Sequence, residues 1–437
     1  EVFMNIGFIS LGCAKNQVDS EEIISYLKRN GANMTPNPEL ADVICINTCA
    51  FIEAAKKEAI DTILEMSKYK KPIVVMGCLA QRYGKELAEE LPEVKLWIPF
   101  GSYDTFGEQF KKAFPEFMAE GKIDPNDRVL LSPKYEAYLR IAEGCNDFCT
   151  FCAIPYIRGR YRSVPFETLQ KQLCVLEHED IKSLTVIAQD TSMYGRDIGT
   201  DLTTLVKEIL THKNFEFVKL MYLYPDEIPS SLIDFYASEQ HLTPYFDLPL
   251  QHSSNKILKR MNRRGTRESY IKLLNEVKAK VPNIVLRTTM MVGFPGETDE
   301  DFNDLLDFIK EMRFDHLGAF IYNREEGTPA YRFKDQVPAN IKRKRYNELM
   351  KTQAKISYEL NKARIGKKYK VLISDYDPKN FAYNGISELY APDDIDGRMY
   401  IFSEEPLNRG DLVEVEIVNA SIYDLDAKVV GIIKRAD

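Results

Sequence analysis

From Asn5 onward, short apolar runs alternate with longer segments in which apolar residues recur every three or four positions. "NIGFISLGC", "ADVICINTC" and "PIVVMGC" read as strands, with helices predicted between them over residues 20–29 and 53–68. Strands alternating with helices of this length imply a parallel, doubly wound sheet. Each of the three strands ends in a cysteine: Cys13, Cys49 and Cys78. The carboxyl ends of parallel strands share one edge, where such folds place their ligands. Thiols 36 and 29 residues apart in the chain are therefore expected at one crevice.

The stretch "AEGKIDPNDRVLLSPK" has Pro, Asp and Gly but no sustained period, which predicts a domain boundary. The divisions expected are residues 1–118, a linker over 119–134, then 135–366 and 367–437. Beyond the linker the alternation resumes, with strands predicted over residues 138–142, 183–188, 217–223, 245–250, 284–291 and 316–322. Helical segments follow them, and Thr298 with Asp301 is the expected cap of "DEDFNDLLDFIKEM". Six strand-helix units point to an incomplete β/α barrel, whose chemistry belongs on the loops after the strands. A long charged helix is predicted over residues 340–365. After Gly366, "KYKVLIS", "GRMYIFS", "DLVEVEIVNA" and "AKVVGIIK" are broken by turn residues, the pattern of a small all-β barrel. The class is α/β and multidomain.

The 437 residues carry 58 basic and 66 acidic side chains, a formal charge of −8, which argues against binding nucleic acid by bulk positive charge. No apolar run approaches the ~18 residues of a membrane span, and the residues before Cys13 do not form a signal peptide. A cytoplasmic protein is the expectation. Eight cysteines are too few for a secreted disulfide scaffold, so clustered thiols point to metal or redox chemistry.

"EGCNDFCTFC" then offers three more thiols, Cys145, Cys149 and Cys152, just after the first predicted barrel strand. A closed zinc site needs four ligands, usually as two close pairs; a distant histidine completing a three-cysteine zinc site is the bland alternative. Three thiolates on a four-iron cubane leave one iron open to a substrate or cosubstrate.

This spacing, with Phe151 before the last cysteine and the cluster after the first barrel strand, resembles the radical S-adenosylmethionine (SAM) enzymes. "SLGCAKNQVDSE", "NTCAF" and "MGCLAQRY" look like the amino-terminal domain of the methylthiotransferases, and the likeness continues through nearly the whole chain. The resemblance implies a flavodoxin-like doubly wound sheet, a partial (β/α)6 radical SAM barrel and a small all-β barrel called TRAM. It implies SAM as cosubstrate and two 4Fe-4S clusters. Cys145, Cys149 and Cys152 would hold the one that cleaves SAM to a 5'-deoxyadenosyl radical; Cys13, Cys49 and Cys78 would hold an auxiliary cluster carrying the sulfur to be transferred. "VGFPGET" follows the fifth barrel strand, and the resemblance makes Phe151, Gly293, Gly296 and Glu297 the wall along SAM. An electron donor such as flavodoxin or ferredoxin is implied as a partner.

The family divides chiefly into MiaB-like enzymes, which modify adenosine in transfer RNA, and RimO-like enzymes, which modify the β-carbon of an aspartate of ribosomal protein S-twelve. "AQDTSMYG" looks RimO-like at Asp190, Thr191 and Tyr194, placed on the substrate side. Residues 368–437 hold fourteen acidic and eight basic side chains, a net −6 that suits a basic ribosomal protein better than a polyanion. Against this, "KILKRMNRRGTR" at residues 256–267, with Arg158, Arg160 and Arg162, can contact RNA phosphate, ribosomal RNA included. The expectation is the S-twelve aspartate enzyme, with the adenosine enzyme as the near alternative and a non-catalytic iron–sulfur or zinc ribosome-binding protein as the distant one. His252 is expected to be a hydrogen-bonded structural residue, and Cys45 and Cys174 to serve in packing.

Overall fold

The computed structural model describes residues 4–117 and 120–436. The boundary expected between residues 118 and 119 lies outside the described residues. By packing, the chain divides into two compact units. One comprises residues 1–132, 140–175 and 323–331, the other 133–139, 176–322 and 332–437.

In the first unit, β1 (Met4–Ser10), β2 (Ala32–Met34), β3 (Val43–Thr48), β4 (Ile73–Gly77) and β5 (Val94–Pro99) form a parallel sheet in the order β2-β1-β3-β4-β5. That is the flavodoxin-like strand order. The central β3 and β4 are buried at every position, as their unbroken apolar runs require when helices cover both faces. Helices α1 (Ala14–Arg29), α2 (Glu53–Ser67), α3 (Cys78–Glu90) and α4 (Phe106–Ala113) complete the layer. Helix α1 starts six residues before the predicted residue 20. Its buried face is polar at Asn16, Asp19, Ser20 and Glu21, so no apolar period marks the first turns.

Gly77 closes β4 at φ +94°, and a Cβ there would lie 2.3 Å from Asn47 Oδ1 and 2.6 Å from the Thr48 carbonyl oxygen. Both the backbone conformation and the close approach require glycine. Gly77→Ala is expected to cost about 3 kcal/mol, seen as a lower denaturant midpoint.

Residues 120–132, expected as a linker, form an irregular strap held on α1. Arg128 Nη2 pairs with Glu21 Oε2 at 2.5 Å, and the Leu131 N–H donates to Glu21 Oε1 at 2.9 Å. These polar anchors carry no periodic signal in sequence.

The chain continues through β6 (Glu136–Arg140) into a two-stranded ribbon of β7 (Ala142–Glu143) and β8 (Arg162–Ser163), with α5 (Ile154–Ile157) between them and α6 (Phe166–His178) after. Then come β9 (Ser183–Ile187), β10 (Phe217–Leu220), β11 (Tyr245–Gln251), β12 (Val285–Val292) and β13 (His316–Ile321), with α7 (Leu202–Ile209), α8 (Ser230–Ser238), α9 (Asn255–Arg260), α10 (Arg267–Lys280), α11 (Asp299–Met312) and α12 (Ala339–Lys362). Strands β6 and β9–β13 form one six-stranded sheet in chain order. The Thr298–Asp301 capping box is present.

In the second unit, β14 (Lys368–Asp377), β15 (Ala382–Ile386), β16 (Met399–Phe402), β17 (Leu412–Ala420) and β18 (Leu425–Lys434) close a barrel in the order β14-β15-β16-β18-β17. Strand β15, "AYNGI", was hidden by its Asn and Gly. A Cβ at Gly385 would come within 2.2 Å of Val371, so the barrel interior leaves room only for glycine.

The segment between β15 and β16 is received by side chains near the amino-terminal ends of the six-stranded sheet. Lys219 donates to the Ser387 carbonyl at 2.6 Å and to that of Tyr390; His316 Nε2 lies 2.7 Å from the Leu389 carbonyl. Arg287 joins Asp247 at 2.8 Å and Asp396 at 2.9 Å, while Tyr245 bonds Asp396 and Tyr138 bonds Asp393. A cavity of about 270 Å³ lies beside them, lined among others by Glu136, Thr185, Lys219 and Arg398.

Burial, opposed by Lys219, raises the Glu136 carboxyl to about 7, and burial lowers the Lys219 ammonium to about 8. A carboxyl raised in the folded state keeps its proton there while the unfolded chain loses it. Its stabilising effect is full below the ordinary carboxylate range and disappears as pH rises through 7. Wild-type stability minus that of Glu136→Gln is therefore expected to fall by about 1–2 kcal/mol between pH 5 and 7, read from urea titrations at each pH. Among the described residues no helix is long and apolar enough to cross a membrane.

Candidate functional site

The three strand-end thiols of the first unit meet as the alternation predicts. Cys13 caps the amino end of α1, Cys78 is the first residue of α3, and Cys49 precedes α2. The positive end of a helix favours a thiolate. Gly12, at φ +95°, sits where a Cβ would come 2.7 Å from that of Cys49. The crevice is thus tight by construction.

Asn16, fully buried, ties the three loops together. Its Nδ2 donates to the Leu11 carbonyl at 3.2 Å and the Thr48 carbonyl at 2.9 Å, while its Oδ1 faces Cys13 Sγ at 3.7 Å and Cys78 Sγ at 3.8 Å. Asn47 Nδ2 supports it from below, donating to the Asn16 carbonyl at 2.9 Å. Sequence reading missed Asn16, although its place three residues after Cys13 puts it on the thiol's side of the helix.

The second thiol set lies in the same unit, on residues 144–161 between the ribbon strands. Gly144 lies at φ +77°, where a Cβ would come 2.2 Å from the Arg160 carbonyl oxygen, and the Cys145 N–H donates to Gly159 O at 3.1 Å. The Cys152 N–H donates to Cys149 O at 3.0 Å, and Cys145 Sγ lies 3.1 Å from Asp147 Oδ2. Cys145 and Cys149 are buried; Phe151 and Cys152 are half-buried.

These sets suit iron–sulfur clusters. Burial pushes the Cys78 thiol up to about 12 and raises those of Cys49 and Cys145 as well. Such thiols ionise when a cation replaces the proton. Among the described residues no group of His, Cys, Asp or Glu is set to hold a single metal ion. A cubane asks for a different arrangement, since each thiolate bonds its own iron.

Cys45 is fully buried in β3, as expected. Cys174 is exposed, contrary to expectation: α6 buries Leu169, Gln172, Leu173 and Leu176, and Cys174 falls off that face.

In the second unit the loop after β12 is held by Glu297. Both its carboxylate oxygens accept the Gly293 N–H at 2.9 Å, Arg345 Nη1 reaches Oε1 at 2.8 Å, and His252 Nε2 lies 3.3 Å from Oε2. His252 Nδ1 accepts the N–H groups of Ser253 and Ser254, both at 3.0 Å, so Nε2 carries the proton; the residue is structural, as expected. Glu297 therefore fixes the loop's shape. A Cβ at Gly293 would strike Lys342 at 2.3 Å, and one at Gly296 would meet Asp335 and Arg260. Both glycines thus make room for the chain's own packing.

Asp190, Thr191 and Tyr194, expected on the substrate side, lie on the loop after β9. All three are buried. Asp190 Oδ1 accepts the Ser192 N–H at 2.9 Å, and Thr191 Oγ1 donates to the Met221 carbonyl at 2.6 Å. They build the loop after β9 from within.

The basic run at 256–267 is largely spent on ion pairs: Lys256 with Asp301, Arg260 with Asp335 at 2.7 Å, Arg264 with Glu227 and Arg267 with Glu311 at 3.0 Å. Arg158, read as a candidate RNA contact, is 3% exposed and bound to Asp19 and Glu143. It is out of reach of a phosphate.

A six-stranded sheet in chain order, a three-cysteine loop after its first strand and a closed terminal barrel define the radical SAM class with an appended small barrel. Family models agree: residues 139–309 match the Radical SAM superfamily, 365–430 the TRAM domain, and 5–99 an uncharacterized protein family, UPF0004. Solved structures show the same fold. The radical SAM methyltransferase TsrM from Kitasatospora setae matches with a TM-score of 0.54 at 12% identity over 75% of this chain and 77% of that one. The cobalamin-dependent radical enzyme OxsB matches at 0.50 and 16%, over 81% and 56%.

Curated relatives narrow the class. The ribosomal protein uS12 methylthiotransferase RimO of Clostridium kluyveri is 44% identical over 97% of both chains. Its namesake from Clostridium tetani is 42% identical over 96% of both, and that from Aquifex aeolicus 42% over 97% and 96%. The chain belongs to the ribosomal protein uS12 methylthiotransferase RimO family.

Proposed function

We propose that this chain is a radical SAM enzyme that adds a methylthio group to the β-carbon of an aspartate of ribosomal protein uS12. The observation that carries the reading is likeness to RimO relatives across 96–97% of the chain. The −6 charge of residues 368–437 supports a basic protein partner over transfer RNA.

Cys145, Cys149 and Cys152 hold the radical-generating cluster; Cys13, Cys49 and Cys78 hold a second, auxiliary one. Bound there, open-iron clusters supply the electron that cleaves SAM and a site for the sulfur that is transferred. The chain's own part is to shape and dry the surroundings. Asn16 fixes the spacing of the auxiliary thiols, Glu297 and Arg345 fix the loop at residues 293–297 along SAM, and the buried Asp190 and Thr191 fix the loop after β9. Rigid walls matter because an aspartate C–H must be held against a radical with little tolerance for displacement. A small electron carrier such as flavodoxin or ferredoxin serves as reductant. Contact of residues 256–267 with ribosomal RNA would exchange the ion pairs there for phosphate.

The test is mass spectrometry after anaerobic turnover of reconstituted enzyme with SAM, a reductant, sulfide and two substrates: uS12 and transfer RNA lacking the modification. A methylthio group on a uS12 aspartate supports the reading. The group on adenosine alone refutes it.

A further inference from the structure

Arg158 keeps its charge at every accessible pH, yet it is 3% exposed. Its Nη2 donates to Asn16 Oδ1 at 2.7 Å and Asp19 Oδ2 at 2.9 Å, its Nη1 donates to Glu143 Oε2 at 2.9 Å, and the guanidinium lies 4.4 Å from the Phe100 ring centroid. The Asn16 oxygen it grips is the one that faces the Cys13 and Cys78 sulfurs. A full positive charge thus stands one amide group behind two of the three auxiliary thiols. Around it, Asp19 and Glu22 also bind Arg140, so the pocket has no surplus of cations.

Desolvating a guanidinium is expensive, and the neighbouring carboxylates explain how the charge is tolerated but not why it is directed at the thiols. Three thiolates in a dry crevice would explain it. We propose that Arg158 is a positioning residue that raises the reduction potential of the auxiliary cluster, acting on the thiolates through Asn16. The proposal rests on the auxiliary-cluster reading above. Its chemical use follows from electron count. A substrate carbon radical would bring one electron to the new carbon–sulfur bond and the sulfur pair two, so one electron would be left for a cluster held by Cys13, Cys49 and Cys78. A buried cation beside that site stabilises the state holding it.

The experiment uses the full chain with Cys145, Cys149 and Cys152 changed to Ala, reconstituted anaerobically with iron and sulfide. Midpoint potentials are then read by electron paramagnetic resonance during redox titration. Arg158→Gln is expected to lower the potential by a tenfold or greater change in the one-electron equilibrium, ~59 mV. Arg158→Lys stays near the parent, and Asp19→Asn moves the potential upward. Unchanged potentials in Arg158→Gln overturn the proposal. A shift of Arg158→Gln and Asp19→Asn in the same direction, the mark of a loosened site, overturns it too. If Arg158→Gln takes up no iron, Arg158→Lys and Asp19→Asn decide: an upward shift in Asp19→Asn with a parent-like Arg158→Lys supports the proposal, and no upward shift refutes it. Failure of the parent chain to bind about four irons instead refutes the auxiliary cluster itself.

Discussion

Cys149→Ala is expected to abolish 5'-deoxyadenosine formation from SAM, with bound iron falling from about eight to about four per chain. Cys149 sits at the centre of the three-thiol loop, buried, with its carbonyl accepting the Cys152 N–H. Alanine preserves that backbone bond and removes only the sulfur. The loop should therefore keep its path, pinned by Gly144 and by the Cys145 N–H bond to Gly159, while the cluster is lost. The expected loss exceeds the 10–100-fold that removing an outer-shell partner typically costs, because a cubane with only two protein ligands is not held in place. Cys174→Ala is the matching control: that thiol is exposed on α6, and its removal should leave cleavage unchanged. Chromatography of the nucleoside product reads both. Persistent 5'-deoxyadenosine in Cys149→Ala would remove this loop from the radical chemistry.

The second large effect separates the two thiol sets. Cys78→Ala should also lower bound iron by about four, yet 5'-deoxyadenosine should continue to form while methylthiolated uS12 drops more than about a hundredfold. Cys78 is the first residue of α3, where alanine is a good helix former, so the substitution spares the helix. Its burial, which pushes the thiol up to about 12, means the site gains little from a free sulfur there. Simultaneous loss of both products would show that the sets are not independent and would fail the division of labour proposed for them.

Most of the architecture was legible in the apolar period. All six barrel strands lie within a few residues of the runs that predicted them, because parallel strands buried on both faces leave unbroken Val, Ile and Leu signals. The missed elements are those whose burial is polar or glycine-bound. The first turns of α1 bury Asn16, Asp19 and Glu21; β15 needs Gly385 inside its barrel; the strap at 120–132 is fastened by Glu21 and Arg128. The two cysteine triplets stood out in the sequence because few residue types are suited to bind iron. Asp190, Thr191 and Glu297 were read as lining the site, and the sequence did not show that each also braces its own loop from within: a polar residue beside a motif looks the same in sequence whether it faces outward or into the backbone. Arg158 shows the cost of that ambiguity most plainly. Three arginines within five positions suggested a phosphate-binding surface, and one of them is enclosed among carboxylates.

The segment between β15 and β16 has an implication for anyone recombining these modules. Lys219 bonds the carbonyls of Ser387 and Tyr390, His316 faces that of Leu389, and Arg287 divides between Asp247 and Asp396. The terminal barrel cannot be exchanged as a cassette with cut points chosen at Gly366 alone. A graft that omits this peptide would leave the Lys219 ammonium without its carbonyl partners and Arg287 with Asp247 alone, so the barrel and the sheet that receives it must be transplanted together.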